Sequence, residues 1–153
     1  MRKSDPRCVL LADRHTELTD GVRGLLESVF PVVVMVADET SMLESAGRIG
    51  PVLAVVDISL ARPEIVRWQV ELRASCPDVK VILLSVHDEP SVCRSAMSAG
   101  ANGFVVKRDI STDLLPAIDA VLSGNRFISR SARGQPSLAA EMEQADEPGG
   151  AVE

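Results

Sequence analysis

Short apolar runs alternate along this chain with segments of helical period. The runs are "CVLLAD" (8–13), "PVVVMVA" (31–37), "VLAVVD" (52–57), "VKVILLS" (79–85) and "GFVVK" (103–107). Each is aliphatic, rich in β-branched residues and too short for a buried helix, so each predicts a strand. Between them lie stretches with apolar residues three and four apart. Residues 16–29 place Leu18, Val22, Leu25 and Val29 on one face. A short helix is predicted over 40–48, capped by Thr40 or Ser41 and broken at Gly50-Pro51. Pro63 suits the first position of a third helix, with Ile65, Trp68 and Leu72 inward. Residues 90–99 form a fourth, ended by Gly100. Ser111 caps a fifth, which carries Leu114, Leu115, Ile118, Val121 and Leu122 and ends at Gly124. Strand–helix alternation of this kind builds a parallel sheet, and right-handed crossovers place helices on both of its faces. The predicted fold is α/β: a five-stranded parallel sheet doubly wound by five helices, in the flavodoxin-like order 2-1-3-4-5.

Four of the five runs end in a polar residue: Asp13, Asp57, Ser85 and Lys107. Parallel strands bring all four to the carboxyl edge of the sheet, where open α/β sheets bind ligands. Two carboxylates, a hydroxyl and an ammonium there suit capture of a phosphoryl group with a divalent cation. Taken singly, each has a plain alternative as a cap, a turn former or a solvated strand end. Placement at four strand ends together is what distinguishes them.

Composition narrows the picture. Hydrophobic residues make up 46% and charged residues 25% of 153, a globular balance for one domain with a short extension. Aromatics at 3% leave an aliphatic core, which fits strands buried on both faces. A formal net charge of −6 without a Lys/Arg block excludes a general pull toward nucleic acid. Cys8, Cys76 and Cys93 have no paired spacing, so neither a disulfide framework nor a zinc site is expected. Cys8 and Cys93 read as small buried hydrophobes and Cys76 as a loop residue before Pro77. "MRKSDPR" leads into no long apolar stretch, which points to a cytoplasmic chain without a membrane span. Beyond residue 128 the sequence turns polar. After Arg133 it has no Lys or Arg but holds Glu141, Glu143, Asp146, Glu147 and Glu153. Residues 7–128 are therefore read as the domain and 129–153 as an acidic, disordered tail. Within it, 137–145 has the pattern of a short helix with Leu138 and Met142 on one side.

The motifs "LLADRH" (10–15), "VVDIS" (55–59), "LSVHDEPSV" (84–92) and "GFVVK" (103–107) occur in order and at strand ends. Together they resemble a response regulator receiver domain of the CheY-like superfamily. They come closest to the NarL/FixJ (LuxR-type) subfamily, whose receivers commonly read "LLADDH", "LSxHD" and "GxxxK". The resemblance covers about residues 7–128 without an evident insertion and stops before a helix-turn-helix output domain. It implies that Asp57 is the phosphoacceptor, attacking a phosphohistidine to form an acyl phosphate. Ser85 and Lys107 would bind phosphoryl oxygens, and Phe104 would hold the place of the aromatic switch residue. Asp13, Asp57 and the backbone carbonyl of Ser59 would hold Mg²⁺. The implied partners are a sensor histidine kinase or phosphotransfer protein and a second copy of the chain. His15 and His87 match residues frequent in this subfamily and are read as structural or surface groups.

Three departures stand out. Receivers usually carry two consecutive acids after the first strand, and here the pair is Asp13-Arg14. A permanent cation in place of a metal-ligating acid should weaken Mg²⁺ binding. Glu17 could supply the missing carboxylate, or Arg14 could pair with Asp57 where the metal would stand. The loop after Asp57 puts Ala61, Arg62 and Ile65 where the family has Pro, Gly and a later Gly. Phe104 lacks the hydroxyl of the family's frequent Tyr.

The leading expectation is a non-enzymatic, two-component receiver module, with an output face on its fourth helix, fifth strand and fifth helix and a role in transcription regulation. The rival is a pseudo-receiver that binds partners without phosphate. A small α/β enzyme or nucleotide binder is disfavoured, since G-x-G-x-x-G, Walker and G-x-S-x-G motifs are all missing from the sequence.

Overall fold

The structure, a computed structural model, describes residues 5–14, 16–60 and 65–133; the side chains of residues 5, 6, 16–19, 65 and 66 lie outside that description. The strands are β1 (Asp5–Ala12), β2 (Val32–Val36), β3 (Pro51–Asp57), β4 (Lys80–Ser85), β5 (Gly103–Val106) and β6 (Phe127–Ile128). The helices are α1 (Thr16–Glu27), α2 (Glu39–Ile49), α3 (Ile65–Ser75), α4 (Pro90–Ser98) and α5 (Ile110–Leu122). The strands form one parallel sheet in the order β2-β1-β3-β4-β5-β6. The predicted 2-1-3-4-5 arrangement is present, extended by one short strand.

Alternation along the strands builds two aliphatic cores. Leu10, Ala54, Val56, Leu83 and Phe104 face one side, with Met42 and Ala46 of α2, Trp68 and Leu72 of α3, and Cys93 and Ala96 of α4. Val9, Leu11, Val55, Ile82 and Val105 face the other, with Val22 and Leu26 of α1 and Leu114, Ile118 and Val121 of α5. Central strands covered on both faces read as continuous apolar runs, as β3 and β4 do. Gly103 marks a close approach: a Cβ there would lie 3.1 Å from Ile82 and 3.3 Å from Val121. Gly100 adopts a φ of 119°, which suits a glycine at the end of α4.

Several boundaries differ from the sequence expectation. Asp38, not Thr40 or Ser41, caps α2; its carboxylate accepts from the Ser41 amide at 2.7 Å. Its pKa lies below the usual aspartate value because of the backbone and hydroxyl hydrogen bonds from Ser41. Helix α1 stops at Glu27, so Val29 is 47% exposed while Leu26 and Phe30 take the buried positions. Ser111 does not cap α5. A 3-10 turn over Lys107–Asp109 runs directly into the helix, leaving Ser111 exposed in its first turn. Cys76 is buried rather than looped out, and its thiol donates to the Pro51 carbonyl at 3.4 Å.

The described fold also runs past residue 128. A 3-10 turn spans Arg130–Arg133, and Ser129, Ser131 and Ala132 are buried. Residues 134–153, including the helical pattern at 137–145, lie outside the described residues. So do His15, Ala61, Arg62 and Pro63, and the side chains of Glu17, Leu18 and Ile65.

Candidate functional site

The register of the sheet sets the site. Ala12 pairs with Val56, Asp57 with Leu84, and Ser85 with Val106. The strands therefore end almost level, and Asp13, Asp57, Ser85 and Lys107 follow at one edge. All four are buried.

Three of them meet. The Lys107 ammonium donates to Asp13 Oδ2 at 3.1 Å and to Asp57 Oδ2 at 3.2 Å. The ammonium side chain is 4% exposed, and the carboxylates 0% and 3%. A buried charge without a partner is costly, so one cation shared between two anions is what keeps each ionised group tolerable here. Lys107 follows β5, which only β4 separates from β3, and its long side chain spans the edge past β4 to both carboxylates.

Ser59, in a 3-10 turn over Ile58–Leu60, adds two contacts to Asp57. Its amide donates to Oδ1 at 3.2 Å and its hydroxyl to Oδ2 at 2.9 Å. Burial works to raise the Asp57 pKa. The Ser59 amide and hydroxyl and then Lys107 outweigh it and hold the carboxyl below its ordinary value. Asp57 is thus an ionised carboxylate at neutral pH, which is the form a nucleophile requires. The motifs single out Ser59 through its backbone carbonyl, yet the contacts it makes to Asp57 use its amide and hydroxyl.

Ser85 stands one residue beyond the level of Asp57. Its Oγ accepts the His87 amide at 3.0 Å, which leaves its own O–H to donate. His87 itself is exposed, beside Glu89 at 3.7 Å. Phe104 is fully buried against the core that includes α4. Arg14 is exposed at the same edge, and the described cation in contact with Asp57 is Lys107. At the rim, Arg108 pairs with Asp88 at 2.6 Å.

A family model described as the response regulator receiver domain matches residues 9–119. The chain belongs to the receiver domain family. Receiver domains are the response regulator modules of two-component signal transduction. The chain is 32% identical over 145 residues to the response regulator UvrY of Escherichia coli (strain K12), covering 92% of this chain and 66% of UvrY. It is 29% identical over 122 residues to the transcriptional regulatory protein DegU of Brevibacillus brevis, covering 78% and 52%. The chain thus spans about half to two-thirds of the length of the curated relatives it matches. Among solved structures, it resembles a LuxR-family response regulator from Aurantimonas sp. SI85-9A1 with a TM-score of 0.75 at 24% identity, covering 91% of this receiver and 99% of that chain. The isolated receiver of RcsB from Salmonella enterica serovar Typhimurium, with phosphomimetic BeF3−, gives 0.72 at 20%, covering 85% and 98%.

Sequence reasoning missed a group behind the site. Ser129 is fully buried. Its hydroxyl accepts the Val106 amide at 3.0 Å and donates to Asp113 Oδ2 at 2.7 Å, while its amide donates to the Phe104 carbonyl at 2.9 Å. Ser131 donates to Asp109 at 3.3 Å. The segment after α5 is therefore tied to the strand that carries Phe104 and precedes Lys107. The one cue was Phe127-Ile128, an apolar pair just after the helix-ending Gly124.

Proposed function

We propose that this receiver accepts a phosphoryl group on Asp57 from a sensor histidine kinase or phosphotransfer protein. The supporting observation is the buried Lys107 ammonium held between Asp13 and Asp57 at the carboxyl edge of the sheet. In the step, an Asp57 oxygen forms a bond to phosphorus, the P–N bond of the donor phosphohistidine breaks, and the imidazole leaves with the electron pair and takes up a proton. The transition state of such transfers is loose, so neutralising charge and holding the groups in line supply most of the catalysis. Lys107 would exchange a carboxylate contact for a phosphoryl oxygen, and Ser85 would turn its free O–H to another.

A divalent cation fits this donor set, although weakly. Asp13 and Asp57 offer hard oxygens close enough to share one ammonium, and Mg²⁺ commonly takes one or two carboxylates and keeps waters for the rest. Those two carboxylates and the Ser59 carbonyl would hold it. When bound, it would neutralise the phosphoryl oxygens. Lys107 already offsets one of the two carboxylate charges, and Arg14 adds a cation at the same edge, so magnesium binding is expected to be weak.

The output follows from where the strands lead. Phosphorylation adds a charge of about −2 beside Lys107. Movement of Lys107, Ser85 and Phe104 would bias α4, β5 and α5. Here β6 and the Arg130–Arg133 turn lie along the outer edge of β5, so a signal to that face passes through Ser129. The proposed role is signalling in the cytoplasm, without catalytic turnover, through a kinase and a second copy of the chain. Regulation of transcription would need a DNA-binding module, and DNA contact by the described domain is not expected.

Beryllofluoride with Mg²⁺, a mimic of the phosphoryl group, tests the reading by amide NMR. The expected response is saturable shifts at Asp57, Ser85 and Lys107 that vanish in Asp57→Asn. No response at any of the three would favour the pseudo-receiver, for which Arg14 in the acidic position is the supporting feature.

A further inference from the structure

Between α4 and β6 lies an open groove of about 470 Å³, lined by Cys93, Arg94, Met97, Ser98, Arg126 and Ile128. None of the six is acidic. Arg94 and Arg126 are exposed, and among the described residues neither has an ion-pair partner. Its floor is apolar, formed by Cys93, Met97 and Ile128. The groove thus offers a trough of mixed polarity with two cations on it, the complement of a short acidic, amphipathic segment.

Such a segment follows in the same chain. Residues 134–153 contain Glu141, Glu143, Asp146, Glu147 and Glu153 and no Lys or Arg. Leu138 and Met142 are four apart, so a helix over 137–145 puts both on one face with Glu141 beside them. The exit point also fits. The described chain ends in the Arg130–Arg133 turn, which packs against α4. From Arg133, the five residues to Leu138 reach about 17 Å when extended, enough to turn back along α4.

We infer that residues 137–145 dock in the α4–β6 groove of their own chain, Leu138 and Met142 on Met97, Cys93 and Ile128, and the glutamates against Arg94 and Arg126. The inference stands apart from phosphate chemistry at Asp57. Its consequence is that the acidic segment covers the α4 side of the receiver's output face, so a partner approaching that side competes with it.

Charge reversal in the full chain, followed by amide NMR, tests the docking. Glu141→Lys with Glu143→Lys should shift resonances of Arg94, Ser98, Arg126 and Ile128, remote in sequence. Arg94→Glu with Arg126→Glu should shift those of 138–145 in turn. Turning two exposed attractions into repulsions is expected to lower the docking equilibrium roughly fivefold. All four reversals together should restore the wild-type pattern, and added salt should mimic either pair in the wild-type chain. Arg94 and Arg126 are exposed, so their reversal leaves the fold intact. Shifts confined to the neighbourhood of each substitution would overturn the inference. Shifts that grow with protein concentration would also overturn it, since they would place the segment on a second copy.

Discussion

Lys107 and Arg108 are adjacent in sequence but hold their carboxylates in opposite settings. Lys107 lies at the end of β5 with its ammonium 4% exposed, between Asp13 and Asp57. Arg108 points outward, its side chain 55% exposed, and meets Asp88 at 2.6 Å. The shorter contact is the weaker device. Water screens the Arg108 pair and solvates both partners if it opens. Around Lys107 there is little water to take over, so each charge depends on the others. The difference explains why the proposed chemical role falls to Lys107, while Arg108 holds a rim position.

Removing the central cation should break this comparison most severely. Lys107→Ala leaves two buried carboxylates facing each other, and a loss of about 3–5 kcal/mol in urea unfolding is expected. The loss should shrink on acidification. The Asp57 pKa is lowered in the fold, so its contribution is fully present above the ordinary aspartate value and disappears as pH falls through the folded value. A loss independent of pH would assign the effect to packing.

Next in size is Ser129→Ala. It leaves the buried Val106 amide and a half-buried Asp113 oxygen without their hydroxyl partner, and about 1–3 kcal/mol should be lost. The same variant sharpens the comparison, because it loosens β5 from behind without touching a charge at the site. Chemical denaturation gives the energy, and amide exchange at Phe104 and Val106 shows whether the opening is local.

Arg14→Asp restores an acid where receivers usually have one. Replacing a cation by an anion at that edge, a change of two charge units, should tighten Mg²⁺ binding about tenfold. Calorimetric titration of both forms checks this, and equal affinities would remove Arg14 from the account. Smallest of all is Asp88→Asn. It breaks the short exposed pair with Arg108, and no measurable shift of the unfolding midpoint is expected. A clear loss would show that exposure is a poor guide to the two cations.

The five long strands and their order were legible because each is a continuous apolar run bounded by turn residues. The strand-end residues Asp13, Asp57, Ser85 and Lys107 were legible for the same reason, since parallel strands share one carboxyl edge. What escaped is short or purely local. Phe127-Ile128 is too brief to show a strand period, and it pairs with β5 only because the edge is open beside it. Ser129 sits in a serine-rich stretch whose composition says loop, and only the fold reveals that its hydroxyl meets a buried amide. The cap at Asp38 was misassigned because Asp38, Thr40 and Ser41 are all good caps, and only the observed backbone geometry selects among them. The contacts of Ser59 depend on a 3-10 turn that apolar patterning does not encode.

The claim that Asp57 accepts a phosphoryl group is tested most directly by intact mass after incubation with acetyl phosphate and Mg²⁺. The account predicts one phosphoryl adduct on the wild-type chain and none on Asp57→Asn. An unmodified wild-type chain, or an adduct that persists in Asp57→Asn, would contradict it.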